Sequence, residues 1–277
     1  ERKDLFMNVH ICTISFRHSL QSIGDIAEWA VKHDFQGVEL WGVHAAQLHG
    51  EKNDGKEALD KLGLCVPMVS GYIPLDQEWI SAQQVCMQLS HSADRWESKK
   101  VRTFAGTKSS QMTEKNERRH VTEQLRKVCR FFEQNGQKVL IETHPGTLAD
   151  SLPSTLQLLE EVNHPNLWVN FDVLHVWESG ADPVKAYEQL AGRTAHFHLK
   201  NIASEKDLSV FQPDNVYSPS GSRKGMTPLF DGAVDYKTFL RHVPHTADVS
   251  LEWFGPDVKN VLESDRRKVA AFQHLFA

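Results

Sequence analysis

The sequence predicts an α/β protein, a single domain in which eight parallel strands, each followed by a helix, close into a (β/α)8 TIM barrel. Three observations carry that expectation. Short apolar runs rich in Val, Ile and aromatic residues alternate with longer amphipathic stretches from end to end. Eight such pairs fill the 277 residues, about 35 residues each, the size of a βαβ repeat. No Gly-x-Gly-x-x-Gly follows the first run, so the structural competitor, an open dinucleotide-binding sheet, lacks its phosphate turn.

The expected strands, in order, are Asn8–Phe16, Gly37–Trp41, Cys65–Tyr72, Lys100–Gly106, Lys138–His144, Leu167–Asp172, Thr194–Asn201 and Asp248–Phe254. Each is bounded by Gly, Pro or Asn, residues that interrupt ladders. Among the helices between them, Ser22 caps a stretch with Ile26, Ala27, Ala30 and Val31 on one face. Thr113 caps another that carries Val121, Leu125, Val128 and Phe132. Pro256 opens the last helix, with Val258, Val261, Leu262, Val269 and Phe272 turned inward. Residues 1–7 read as an N-terminal extension, and Met7, just before the first apolar run, is a candidate start. Residues 202–232 are polar and rich in Ser, Pro and Gly. A segment that long between two elements is usually functional, and it is expected to be an active-site loop.

Composition narrows the function. The chain is 40% hydrophobic and 24% charged, as soluble globular proteins are. No apolar run approaches the ~20 residues that span a bilayer, and no secretory pattern is present. The four cysteines, Cys12, Cys65, Cys86 and Cys129, are scattered without a Cys-x-x-Cys pair, as expected of reduced thiols in a cytoplasmic protein. A net charge of −5 argues against a nucleic-acid partner, which needs a basic field. It leaves room for a small acidic substrate held by a few local cations. A homo-oligomer is compatible with all of this.

Polar residues gather where the expected strands end, which is the catalytic side of such a barrel. The fifth strand closes on Glu142-Thr143-His144-Pro145, the sixth on Asn170-Phe171-Asp172 with His175 beyond, the seventh on His196-Phe197-His198-Leu199-Lys200 and the eighth on Leu251-Glu252-Trp253. Side chains alternate along a strand, so Glu142 shares a face with His144, and His196 with His198 and Lys200. One carboxylate in such a place is ordinarily solvated or caps a helix, and one histidine is ordinarily a satisfied core residue. Glu142, Asp172, His198 and Glu252 recur on four successive strands, and three carboxylates brought together would repel one another. One divalent cation resolves the repulsion, and an oxygen-and-imidazole donor set suits Mn2+, Mg2+ or Co2+.

Other residues are weaker candidates. His144 and Lys200 neighbour the expected ligands, and His175 stands between substrate contact and ligand support. Glu39 is a candidate pocket acid on the second strand. Arg102, on the fourth, is placed to grip a carboxylate bidentately. His10 and His196 read as structural, and Trp41, Trp177 and Trp253 as core or pocket wall.

Taken together, Glu142-Thr143-His144-Pro145, Asp172 with His175, His198-x-Lys200 and Glu252-Trp253 resemble the xylose-isomerase-like barrel superfamily of sugar isomerases, epimerases and dehydratases. Longer stretches are similar to the bacterial 3-dehydroshikimate dehydratases of catecholate siderophore (petrobactin) biosynthesis. These are Cys12-Thr13-Ile14-Ser15-Phe16-Arg17-His18, Val38-Glu39-Leu40-Trp41-Gly42, Val101-Arg102-Thr103-Phe104-Ala105-Gly106, Trp177-Glu178-Ser179-Gly180-Ala181-Asp182-Pro183, Asn215-Val216-Tyr217 and Ser250-Leu251-Glu252-Trp253-Phe254. The likeness runs from about Val9 to the last helix, leaves Glu1–Phe6 unplaced, and varies at Ser218–Lys224.

The resemblance implies a hydro-lyase that converts 3-dehydroshikimate into 3,4-dihydroxybenzoate and water. It implies metal ligands Glu142, Asp172, His198 and Glu252, with His144, His175, Lys200, Arg102, Tyr72 and Tyr217 around the substrate. His144 is then the expected base for the proton α to the ketone, the metal stabilises the enolate, and the β-hydroxyl leaves with a proton from His144 or Lys200. Rival readings are an isomerase or epimerase of a ketose or inosose, an apurinic-site endonuclease, and a non-catalytic binding module. The endonuclease would need an Asp-x-His pair, which the chain lacks.

Overall fold

The computed structural model describes residues 7–47 and 55–274. Ten strands lie within them: β1 Asn8–Cys12, β2 Gly37–Glu39, β3 Val69–Ser70, β4 Lys100–Thr103, β5 Lys138–Glu142, β6 Leu167–Asp172, β7 Thr194–Leu199, β8 Asn201–Ile202, β9 Met226–Thr227 and β10 Asp248–Leu251. Eight form one sheet in the order β2-β1-β10-β7-β6-β5-β4-β3, and β8 with β9 makes a separate ribbon. The ladders of β1 with β10 and β2, and those joining β3, β4, β5 and β6, are all parallel. This is the (β/α)8 class that the sequence predicts. The expected extension, 1–7, lies outside the described residues except for Met7, which is buried.

The chain gathers into two compact units, one of residues 7–39, 55–65 and 198–274, the other of 40–47 and 66–197. β7 passes from the second to the first at His198.

In the first unit, Cys12 of β1 stands opposite Glu39 of β2, and His10 opposite both Gly37 and Ser250. The bridge from Gly37 to Cys65 is so close that a Cβ on Gly37 would sit 2.5 Å from the Cys65 carbonyl oxygen and 2.6 Å from His10 Nδ1. Only glycine fits there. The first helix, Ile23–Lys32, begins as expected at Ser22. Ser22 Oγ accepts the Asp25 amide at 3.0 Å while Asp25 accepts the Ser22 amide at 3.2 Å, a capping box that contributes about 1 kcal/mol. Ile26, Ala27 and Ala30 are buried as expected, but Val31 is 37% exposed, because the apolar stripe turns away from it.

In the second unit, Arg102 on β4 faces Leu140 on β5, and Glu142 at the end of β5 faces Asn170 on β6. The helix Lys115–Gln134 buries Val121, Leu125, Val128 and Phe132, each worth about 1.5–3 kcal/mol of removal from water. Its cap is Glu114, boxed with Glu117, one residue beyond the expected Thr113.

Element boundaries differ from expectation, and several strands end two or three residues early. Thr13–Phe16 is a buried 3-10 turn rather than strand, where Ser15 Oγ accepts the Trp253 amide at 3.0 Å. β3 is two residues long, because Pro67 has no amide to offer a ladder. The last helix starts at Val258, two residues after Pro256, since Asp257 turns the chain with φ 56°.

The long segment 202–232 is folded. Asn201 pairs with Thr227 and Ile202 with Met226, antiparallel, and a 3-10 helix, Glu205–Phe211, and a helical turn, Pro213–Val216, fill the interval. Asn201 donates to the Leu229 and Val234 carbonyls at 2.7 and 3.0 Å. Both oxygens of Asp265, on the last helix, accept the Leu229 amide at 3.0–3.1 Å.

No helix among the described residues is long and apolar enough to cross a membrane. The four cysteines are free thiols, Cys65 exposed and the others buried. Burial pushes Cys86 and Cys129 up to about 12.

Candidate active site

The four expected ligands divide evenly, with His198 and Glu252 in the first unit and Glu142 and Asp172 in the second. Each pair occupies strand ends, as expected.

In the first unit, His198 is fully buried. Its Nε2 lies 3.0 Å from both oxygens of Glu39, and its Nδ1 lies 3.4 Å from Glu252 Oε1. The Cys12 thiol, opposite Glu39 in register, points to Glu39 Oε1 at 3.7 Å. Lys200 Nζ donates to Glu252 Oε2 at 2.7 Å. Burial alone would raise the Glu252 carboxyl, yet Lys200 and His198 together hold it down at about 2. The Lys200 ammonium also lies over the Phe211 and Phe254 rings, 5.8 and 5.9 Å from their centroids. Its backbone is pinned by Tyr236, whose hydroxyl accepts the Lys200 amide at 3.2 Å and donates to the Lys200 carbonyl at 2.7 Å.

Tyr217 is 44% exposed and rides on a segment fastened through its neighbour. Arg17 Nε donates to the Val216 carbonyl at 2.6 Å, with His18 and Arg223 directed at the same oxygen. Burial and the nearby Arg223 lower the Arg17 guanidinium to about 10. Arg17 also stacks over Phe254, 4.8 Å from its centroid.

In the second unit, Arg102 Nε is 2.9 Å from Glu142 Oε2, and both side chains are almost wholly buried. Asn170 Nδ2 donates to the same oxygen at 3.2 Å. Asp172 caps the helix Val173–Glu178 by accepting the His175 amide at 3.2 Å, and its backbone is tied to Thr143 on the neighbouring strand. The His175 ring turns Nδ1 to Glu178 Oε2 at 2.7 Å. His144 Nδ1 lies 2.7 Å from the Pro145 carbonyl. A carbonyl only accepts, so Nδ1 carries the proton and Nε2 the lone pair. His144 is half-buried in a wall of rings: its centroid is 4.4 Å from Phe104 and 4.5 Å from His175, and Tyr72 follows at 5.2 Å from Phe104. Arg102 lies over Phe104 and Tyr72.

Two of the residues expected around the substrate are engaged by protein groups. Glu39, a candidate substrate acid, is fully buried with both oxygens on His198. Arg102, expected to grip a substrate carboxylate, grips Glu142. His10 is structural, as read, with Nε2 3.0 Å from Asp248. Asn170, Glu178 and Tyr236, not among the expected site residues, hold Glu142, His175 and Lys200. Asn170 carried a signal, since it alternates with Asp172 and so shares its face, and Glu178 stands in the stretch 177–183 that bears the resemblance.

Ligand-type side chains meet within each unit. Cys12, Glu39 and His198 bring ligand atoms within 4.8 Å of one another, as do Glu142, His144 and His175. As donors, the carboxylate oxygens and imidazole nitrogens fit a divalent metal. Lys200 and Arg102 supply the countercharge to Glu252 and Glu142.

Eight parallel strands ending in carboxylates and imidazoles define a class, and the chain belongs to it: the xylose isomerase-like TIM barrel family, whose model matches residues 27–273. Within the family it is 44% identical over 268 residues to a 3-dehydroshikimate dehydratase of Bacillus anthracis, covering 94% of this chain and 96% of that protein. The crystal structure of the probable 3-DHS dehydratase AsbF, involved in petrobactin synthesis in Bacillus anthracis, superposes with a TM-score of 0.92 at 42% identity, over 95% of this chain and 99% of that one. An inosose dehydratase of Clostridium perfringens is 27% identical over 122 residues, 44% of this chain and 41% of that protein.

Proposed function

We propose that this chain is a divalent-metal-dependent hydro-lyase that dehydrates 3-dehydroshikimate to 3,4-dihydroxybenzoate (protocatechuate). The observation that carries the reading is kinship over nearly the whole length with the Bacillus anthracis dehydratase. Glu142, Asp172, His198 and Glu252 would hold one ion. When bound, the ion supplies Lewis-acid polarisation of the substrate ketone.

The chain's own residues do the rest. His144 takes the proton α to the ketone on Nε2, the ring nitrogen left basic by the bond from Nδ1 to the Pro145 carbonyl. The electrons of that C–H bond expel the β-hydroxyl, which leaves as water with a proton from His144 or Lys200. Lys200, held at Glu252 by its salt bridge, also steadies negative charge that develops on the substrate oxygen. His175 backs His144 across their ring contact. Arg102, Tyr72 and Tyr217 face the ring carboxylate and hydroxyls. Tautomerisation to an aromatic ring then drives the step forward.

The neighbour's part in petrobactin synthesis favours siderophore assembly as the destination of the product. The free, scattered thiols favour a reducing cytoplasm. The test is direct. Purified protein given 3-dehydroshikimate and Mn2+ develops the ultraviolet absorbance of a catechol acid, and a chelator abolishes it. A metal-replete preparation that yields no aromatic product overturns the assignment.

A further inference from the structure

We propose that Glu39 is a positioning residue that orients the His198 imidazole, keeping a proton on Nε2 so that Nδ1 is the nitrogen offered, beside Glu252, to a divalent ion. The inference rests on His198 and Glu252 being ligands, as proposed above.

The geometry is one-sided. Both Glu39 oxygens lie 3.0 Å from Nε2, while Nδ1 faces Glu252 Oε1 at 3.4 Å. Glu39 and His198 have no solvent exposure, so water does not compete for the bond. Two carboxylate oxygens at equal distance from one nitrogen are placed as acceptors sharing one N–H, so that nitrogen carries hydrogen. With the proton on Nε2, the lone pair that would bind a metal is on Nδ1. Carboxylate behind, imidazole between and metal in front is the arrangement by which a buried acid fixes ring orientation and raises ligand basicity.

The sequence explains why Glu39 reaches this place. It is the last residue of β2, opposite Cys12 in the β1 ladder, and the Cys12 thiol lies against its Oε1 at 3.7 Å. An acid so enclosed has its oxygens turned to protein groups rather than to a substrate.

The experiment compares the full-length wild type with Glu39→Gln, which keeps size and one acceptor, and with Glu39→Ala, which keeps neither. Mn2+ affinity is read from the electron paramagnetic resonance of free ion. The His198 tautomer is read from 15N chemical shifts in the metal-free protein. The expected result is Mn2+ binding weakened about 10–100-fold in Glu39→Ala and less in Glu39→Gln, with the Nε2-protonated signature lost in the alanine variant. Should the alanine variant not fold, the glutamine variant alone carries the comparison. Affinities within about twofold of wild type in every folded variant, together with an unchanged tautomer, overturn the role. A wild type that binds no Mn2+ instead overturns the metal reading itself, and this role with it.

Discussion

At the scale of single residues, the His144 ring shows how a backbone carbonyl selects chemistry. Its Nδ1 proton is committed to the Pro145 carbonyl, which leaves Nε2 as the basic nitrogen. The flanking rings of Phe104 and His175 hold the plane. Replacing His144 with Ala should lower turnover by about 10²–10⁴-fold, the usual contribution of a positioned base. Metal content should be unchanged. Steady-state kinetics beside metal analysis checks both, and near-normal turnover removes His144 from the base role. His144 was legible in the sequence because it alternates with Glu142. The fate of Arg102 and Glu39 was not. A strand pattern says which face a charge takes, but not which group of another strand it meets, as Arg102 meets Glu142 and Glu39 meets His198 here.

At the scale of elements, the last helix does more than cover the sheet. Its buried face is Leu262, Asp265, Val269 and Gln273, and Asp265 anchors the segment around Leu229 through both carboxylate oxygens. Burial raises the Asp265 carboxyl from 3.8 to about 6, against the pull of the Leu229 amide. The folded state therefore keeps this proton more tightly than the unfolded state. The stabilisation from the protonated acid is complete below about pH 4 and is lost as pH rises through about 6. Asp265→Asn cannot titrate. Urea unfolding from pH 4 to 7 should show the stability of the wild type falling relative to the variant across that window, and parallel profiles would refute it. Hydrophobic periodicity could not reveal this contact, because it marks Val261 and Phe272 while the helix buries Asp265 and Gln273 instead. Nor could it reveal the ribbon of β8 and β9, whose two-residue strands are too short to carry an alternation. The long helices and β5 to β7 were legible for the opposite reason, since their apolar runs extend over several residues.

At the scale of the whole molecule, the ligands proposed for the ion are all buried side chains, so metal loading should be felt in global stability. An ion present at a hundred times its Kd adds ~2.7 kcal/mol, which for a chain of this size raises Tm by about 5–10 °C. Scanning calorimetry of chelated and Mn2+-loaded protein measures it, and coincident transitions would argue that no ion joins the folded state. The thiol inventory has a practical consequence as well. Two buried sulfurs titrate only near 12, and Cys12 is enclosed beside Glu39, so all three are sheltered from alkylating reagents in the native protein. Cys65 alone lies open to solvent, at the bridge to Gly37. The unaltered sequence therefore offers a single attachment point for a fluorophore or spin label, on the strand ladder rather than at the chemistry.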